Sequence, residues 1–246
     1  RTLGRTGLRV SPVSMGTWQT FDVREKICVR AVGALVREAV ESGVNLFDTA
    51  PMYGAAESLL GAALKGCKQH VMVATKVLAS DGAAAERSVE ESLERLQRDV
   101  IDLMQIHNMS AWERVAPVLQ KYRSKGRIRF LGITDYRQSK FGDMADAMKT
   151  GLFDTIQIPY NIADRSAERV LLPLAKKLDL GVLVMTPLSP IFNRASLFDV
   201  LKGKDLTFLR PYGISTPGQA LLAYLLAKSP EVVLLPATSR LSRVSE

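Results

Sequence analysis

The feature that most constrains this chain is a strict alternation of strand-length apolar runs with amphipathic helical segments along nearly its whole length. Eight runs read as strands: 13–18 (VSMGTW), 44–48 (VNLFD), 71–76 (VMVATK), 100–107 (VIDLMQIH), 128–134 (IRFLGIT), 153–159 (FDTIQIP), 181–186 (GVLVMT) and 232–238 (VVLLPAT). They are mostly continuous in apolar character, as parallel strands buried on both faces require. Segments 31–43, 56–66, 85–99, 113–126, 139–151, 168–179 and 216–229 carry apolar residues at helical spacing. Gly43, Gly66 and Gly126 stand where helices stop, and Thr216-Pro217 has the residue types of a helix start. Such alternation means a parallel sheet with helical crossovers. Eight units predict the α/β class and a closed (β/α)8 TIM barrel rather than an open sheet. No G-x-G-x-x-G follows the first strand, which weighs against a doubly wound dinucleotide fold.

Two segments depart from a bare barrel. Residues 1–12 (RTLGRTGLRVSP), with turn signals at Gly4 and Gly7, read as a β-hairpin capping the barrel bottom. Residues 189–215 are long for a connection after strand seven and predict a functional loop with a short helix of its own. The last helix is expected to be short or missing, because the chain stops a few residues after the eighth strand. The reading is one barrel domain over 1–246.

Composition adds exclusions. Hydrophobic residues are 47% and charged residues 24%, ordinary for a soluble globular chain. No apolar run approaches the roughly 18–20 residues of a membrane span, so a cytoplasmic location is the default expectation. The net charge is +8, but the basic residues are spread out. The densest stretch, 121–129, reads as a helix end running into a strand, so neither nucleic acid nor membrane is expected as a partner. Cys28 and Cys67 lack metal-ligand spacing and cannot form a disulfide framework; no metal is expected. No helix face carries an interface signature, which leaves the oligomeric state unknown.

In a barrel of this kind catalytic groups sit at the C-terminal ends of the strands. The second strand closes with Asp48, the third with Lys76 and the fourth with His107, while Tyr53 lies just beyond the second in DTAPMYGAAE (48–57). A phenol is a poor acid at neutral pH, and a nearby lysine cation favours its phenolate. A carboxylate paired to the lysine keeps that cation charged and fixed. Tyrosine can then protonate an oxygen that gains negative charge, and histidine can donate a hydrogen bond to the same oxygen. None of the four supplies electrons, so a hydride donor must bind beside them. His70 precedes its strand, falls at the opposite face and reads as structural.

At these residues the chain resembles the aldo-keto reductase superfamily, in the style of its bacterial and potassium-channel β-subunit branches. The resemblance rests on 3–18 (LGRTGLRVSPVSMGTW), 45–57 (NLFDTAPMYGAAE), 73–76 (VATK), 92–107 (SLERLQRDVIDLMQIH), 126–134 (GRIRFLGIT), 156–161 (IQIPYN) and 185–189 (MTPLS). It implies Tyr53 as general acid, Lys76 and Asp48 as its tuning pair, and His107 as the residue that orients the carbonyl. It also implies NADPH, bound without a Rossmann motif, and reduction of a small-molecule aldehyde or ketone. Gly16, Thr17 and Trp18 then line the nicotinamide end together with Asp48, and Trp18 also walls the substrate pocket beside Tyr53 and His107. Thr134, Asp135 and Gln157 occupy the carboxamide positions, and Met185 packs on the nicotinamide. Thr186, Leu188 and Ser189 lie where the pyrophosphate is gripped. Thr238, Ser239, Arg240 and Arg243 fall where the family binds the 2′-phosphate, with Glu246 near the adenine.

Three departures stand out. Asp135 stands where asparagine is commoner and lacks an amide donor. Met185 stands where many members stack a ring. Residues 189–198 (SPIFNRASLF) lack the usual glycine-rich run. These departures leave open a regulatory subunit that binds the cofactor with little turnover. A third reading, a lyase or hydrolase on the same fold, would use Lys76 as a Schiff-base nucleophile.

Overall fold

A computed structural model describes residues 1–189 and 197–245. Eight strands lie side by side in chain order, every neighbouring pair parallel. They are β1 (Met15–Gly16), β2 (Leu46–Asp48), β3 (Met72–Val77), β4 (Ile101–Ile106), β5 (Ile128–Thr134), β6 (Thr155–Pro159), β7 (Gly181–Met185) and β8 (Val232–Leu234). The last strand meets the first. Ser14 N donates to Leu234 O at 2.8 Å, Gly16 N to Pro236 O at 2.9 Å, and Leu234 N to Pro12 O at 2.9 Å. The sheet therefore curls into a (β/α)8 TIM barrel, as the alternation predicts.

The helices are α1 (Lys26–Glu41), α2 (Ala56–Leu64), α3 (Gly82–Leu96), α4 (Trp112–Ser124), α5 (Phe141–Lys149), α6 (Leu171–Leu178), α7 (Leu197–Leu201) and α8 (Pro217–Lys228). Strand side chains divide by the two-residue period. Phe47, Val73, Met104, Ile133, Ile156, Val182 and Val232 join the helices in one core, while Leu46, Met72, Ala74, Leu103, Leu183 and Val233 fill the barrel interior. Helix α1 starts at Lys26, five positions before the expected 31, because its first turn leaves Ile27 and Val29 exposed and its inward apolar face begins only at Val32. Helix α3 also starts early: Asp81 caps it, accepting from Ala84 N at 2.9 Å. The start of α8 is as expected, with a reciprocal Thr216–Gln219 capping box and Pro217 in its first turn.

The N-terminal hairpin is present. Leu3 N donates to Leu8 O at 2.9 Å and Val10 N to Arg1 O at 2.7 Å, and Leu3, Leu8 and Val10 plug the interior cluster from below. Gly4 has φ +48°, and a Cβ there would lie 2.2 Å from Gly181 N, so only glycine admits this approach to β7. Arg5 staples the hairpin by donating to Phe153 O at 2.6 Å, and Arg1 Nη1 does so to Val232 O at 2.9 Å. Within 189–215, α7 and a 3-10 segment over Thr207–Tyr212 supply the expected short helix, while 190–196 lie outside the described residues. Beyond β8 the described residues hold one 3-10 turn, Leu241–Arg243. Among them no helix is long and apolar enough to cross a membrane.

Candidate active site

Four strands aim polar side chains at one mouth of the barrel. Asp48 ends β2, Lys76 lies near the end of β3, Gln105 in β4 and Gln157 in β6, and all four are buried. Lys76 Nζ donates to Asp48 Oδ2 at 2.7 Å and to Thr49 O at 2.8 Å. Gln105 Nε2 donates to Asp48 Oδ1 at 3.1 Å, and Gln157 Nε2 to Asp48 Oδ2 at 3.2 Å. A buried ion pair persists only when its remaining polar capacity is met, and here a carboxylate receives one ammonium and two amides. Lys76 Nζ also sits 5.0 Å from the centre of the Tyr53 ring. The His107 ring stands edge-on to Tyr53, 6.4 Å between centres and 86° between planes. Asp48, Tyr53, Lys76 and His107 thus converge.

The turn that carries Tyr53 is held from two sides. Gly54 adopts φ +61°, and a Cβ there would fall 2.1 Å from the Asp22 carboxylate, which accepts from Ala55 N at 3.1 Å. Glu57, buried in the first turn of α2, accepts from Thr75 Oγ1 at 2.6 Å and from Arg95 Nε at 2.7 Å, tying α2 to β3 and α3. Sequence reasoning did not single out Asp22, Glu57 or Gln105. For Glu57 a signal existed: one carboxylate on the apolar helix AESLLGAAL.

The electrostatics differ from expectation at one point. Burial pushes the Tyr53 phenol above its ordinary value of 10.0; the Lys76 cation pulls it down as expected, but by less, and Asp48 adds to the rise. The phenol therefore holds its proton at neutral pH. Burial opposes the charge on Lys76, yet Asp48 and Tyr53 outweigh it and raise the ammonium above its ordinary value. Burial first, and then the Lys76 cation, lower the His107 imidazole to about 4, against a smaller opposite pull from Asp135. The ring is neutral at pH 7 and can donate one hydrogen bond.

That depression has a consequence for stability. The folded value lies below the ordinary 6.5, so the unfolded chain takes up the proton first. The contribution is present above pH 6.5 and is lost as the pH falls toward about 4. Urea unfolding between pH 7 and pH 4.5 should show wild type losing stability more steeply than His107→Gln. Parallel curves for the two proteins would refute a neutral, half-buried imidazole.

The residues expected around a cofactor fall into two groups. Around the mouth, Thr17, Thr134 and Gln157 are buried, Met185 and Thr186 are half-buried at the end of β7, and Gly16 packs its backbone against Leu235 O. Trp18 is 45% exposed at the rim. Thr17 Oγ1, Thr134 Oγ1, Gln157 Oε1, Thr186 Oγ1 and His107 Nδ1 are buried atoms without a hydrogen-bond partner among the described residues. Asp135 is fully buried, and Arg137 engages both its oxygens, at 2.9 and 2.6 Å. The second group, Leu188, Ser189, Thr238, Ser239, Arg240 and Arg243, lines a groove of about 1150 Å³. Residues of α8 and residues 11–15, which run into β1, form other walls. Glu246 lies outside the described residues. His70 is exposed just ahead of β3, away from the mouth. Among the described residues no group of three His, Cys, Asp or Glu is arranged for a metal ion.

Comparison with known proteins fits this arrangement. A profile of the aldo/keto reductase family matches residues 12–246. The chain is 34% identical over 208 residues to L-galactose dehydrogenase of Arabidopsis thaliana, a match covering 77% of this chain and 65% of that protein. It is 30% identical over 226 residues to the NADH-specific methylglyoxal reductase of Escherichia coli, covering 76% of this chain and 66% of that one. Its fold follows the aldo/keto reductase of Klebsiella pneumoniae, solved with NADP and acetate. There the TM-score is 0.81 at 24% identity, over 99% of this chain and 87% of that chain. A matched profile over nearly the whole length, on a barrel with Asp48, Tyr53, Lys76 and His107 at its mouth, makes this chain a member of the aldo/keto reductase family.

Proposed function

We propose that this chain reduces a small aldehyde or ketone to an alcohol with NADPH. The observation that carries the reading is the buried Lys76–Asp48 pair set against Tyr53, with a neutral His107 edge-on to the same phenol. When bound, the dinucleotide supplies the hydride. Tyr53, protonated at neutral pH, gives its proton to the carbonyl oxygen as negative charge develops there. Lys76, held charged by Asp48, stabilises the phenolate left behind. His107 donates a hydrogen bond that orients the carbonyl. Trp18, Met52 and Leu78, exposed apolar side chains that follow β1, β2 and β3, form a rim suited to a small uncharged substrate.

The residues present fit a nicotinamide dinucleotide. Buried polar atoms are normally paired, yet among the described residues Thr134 Oγ1 and Gln157 Oε1, at the carboxamide positions, and Thr186 Oγ1, at the pyrophosphate positions, have no hydrogen-bond partner. Asp48, Gly16, Thr17, Trp18 and Met185 would hold the nicotinamide, and Leu188 and Ser189 the pyrophosphate. Thr238, Ser239, Arg240 and Arg243 line the groove where a 2′-phosphate would be bound, and two guanidinium groups suit it. Glu246 would lie by the adenine. The same reading takes 1–246 as one catalytic domain of a cytoplasmic protein.

A cofactor-binding subunit with little turnover is the second reading. It is favoured by Asp135, whose carboxylate is already engaged by Arg137. Fluorescence titration with NADPH and then NADH, followed by multiple-turnover assays on a panel of aldehydes, separates the two. Saturable binding with NADPH preferred and repeated turnover is the expected result. Binding without turnover would support the subunit reading. Binding of neither nucleotide would overturn both, and an NADH preference would remove the role given to Arg240 and Arg243.

A further inference from the structure

Asp135 is an acidic residue with no exposure, two positions from an arginine that is itself part-exposed. A buried carboxylate must be paired and hydrogen-bonded, and Arg137 does both. Its Nε donates to Asp135 Oδ1 at 2.9 Å, its Nη2 to Oδ2 at 2.6 Å, and its backbone N to Oδ1 at 2.8 Å. The same Nη2 reaches out of this loop and donates to Asn108 O at 3.0 Å, in the segment that follows β4. One guanidinium therefore bridges the loop after β5 to the residue next to His107.

That segment needs bridging. Asn108, Met109 and Ala111 have φ of +54°, +53° and +43°. Non-glycine residues in this region are strained and persist only where their surroundings over-determine them. The imidazole gives the segment little help, because His107 Nδ1 is buried without a partner among the described residues. Two side chains tie the backbone across to other loops: Ser110 Oγ, which donates to Ala79 O at 3.2 Å, and Arg137.

We propose that Arg137 is a positioning residue that uses Asp135 as its anchor to set the His107 segment at the mouth of the barrel. The pair is coupled in charge as well as geometry. The groups that bear on His107 are Lys76 from β3, Tyr53 after β2 and Asp135 after β5, with Asp48 behind Lys76. Arg137 offsets the Asp135 carboxylate. Without it an unneutralised negative charge faces the imidazole. The role in catalysis rests on the proposed carbonyl reduction; the positioning itself does not.

The test is built to keep those two apart. The chain has two histidines, so imidazole NMR resolves the His107 titration, with His70→Gln to assign it. Arg137→Gln should move the His107 ring resonances and raise its titration midpoint by about one unit, a shift typical of an unscreened nearby charge. Arg137→Lys, which keeps the charge, should stay near wild type in midpoint. Asp135→Asn with Arg137→Gln should show a much smaller rise than Arg137→Gln alone. In the active enzyme Arg137→Gln should lower kcat roughly tenfold, within the coupling expected of contacting residues. Unchanged ring resonances and midpoint in Arg137→Gln would overturn the proposal. So would an equal rise from Arg137→Gln with and without Asp135→Asn, which marks a general loosening of the fold. If the NMR pattern is as expected while no aldehyde is turned over, the positioning stands and the assigned reaction falls.

Discussion

Replacing Tyr53 by phenylalanine lowers kcat for carbonyl reduction by roughly 10²–10⁴-fold, the range of a positioned proton donor. The change removes one oxygen and keeps the ring, so the 6.4 Å edge-on contact with His107 is retained. Lys76 keeps Asp48 and the Thr49 carbonyl as partners. Dinucleotide affinity should therefore stay at its wild-type value. Steady-state kinetics with an aldehyde substrate, together with fluorescence titration of NADPH, measures both. A loss smaller than tenfold would move proton donation away from Tyr53. A parallel loss of dinucleotide binding would mean that the phenol supports the site rather than the chemistry.

Lys76→Met should destabilise the fold by about 3–5 kcal/mol, the usual cost of stranding one partner of a buried ion pair. Asp48 stays buried in that variant, with its negative charge facing only the amides of Gln105 and Gln157. Those two donors place the expected loss at the lower end of the range. Adding Asp48→Asn removes the stranded charge and should restore much of the stability while leaving the protein inactive. Urea unfolding of the three proteins at pH 7 is the measurement. A Lys76→Met protein as stable as wild type would show that the pair is not buried in the way the distances describe.

The barrel was legible because its signals are repeated. Most strands are continuous apolar runs, and the one over 128–134 has the observed bounds of β5. Where bounds differ, the cause is local. The first turn of α1 leaves its apolar residues Ile27 and Val29 outside the core, and the cap of α3 is a single aspartate ahead of the expected start. The meeting of Asp48, Lys76 and His107 was legible because each stands at or next to a strand end, and Tyr53 lies only five residues beyond Asp48. The side chains that tune them were not. Gln105 and Gln157 reach Asp48 from β4 and β6, across the barrel, and no spacing along the chain marks that meeting. Arg137 lies two residues from Asp135, but only the folded loops bring it to Asn108. The direction of the Tyr53 shift also depends on burial, which a list of nearby charges does not contain.

The hairpin under the barrel has a bearing on how the chain reaches this state. Leu3, Leu8 and Val10 pack against Val233 and Leu235, contacts separated by nearly the full length of the chain. During synthesis at about 5–20 residues per second, the hairpin leaves the ribosome on the order of tens of seconds before those partners exist. Until β8 arrives, the apolar underside of the sheet has no lid and the first and last strands are open edges, the features that make unfinished chains associate. Closure of the ring is thus a late, non-local event. Variants that weaken the hairpin, such as a change at Gly4, are expected to act on the yield of folded protein before they act on any property of the mouth.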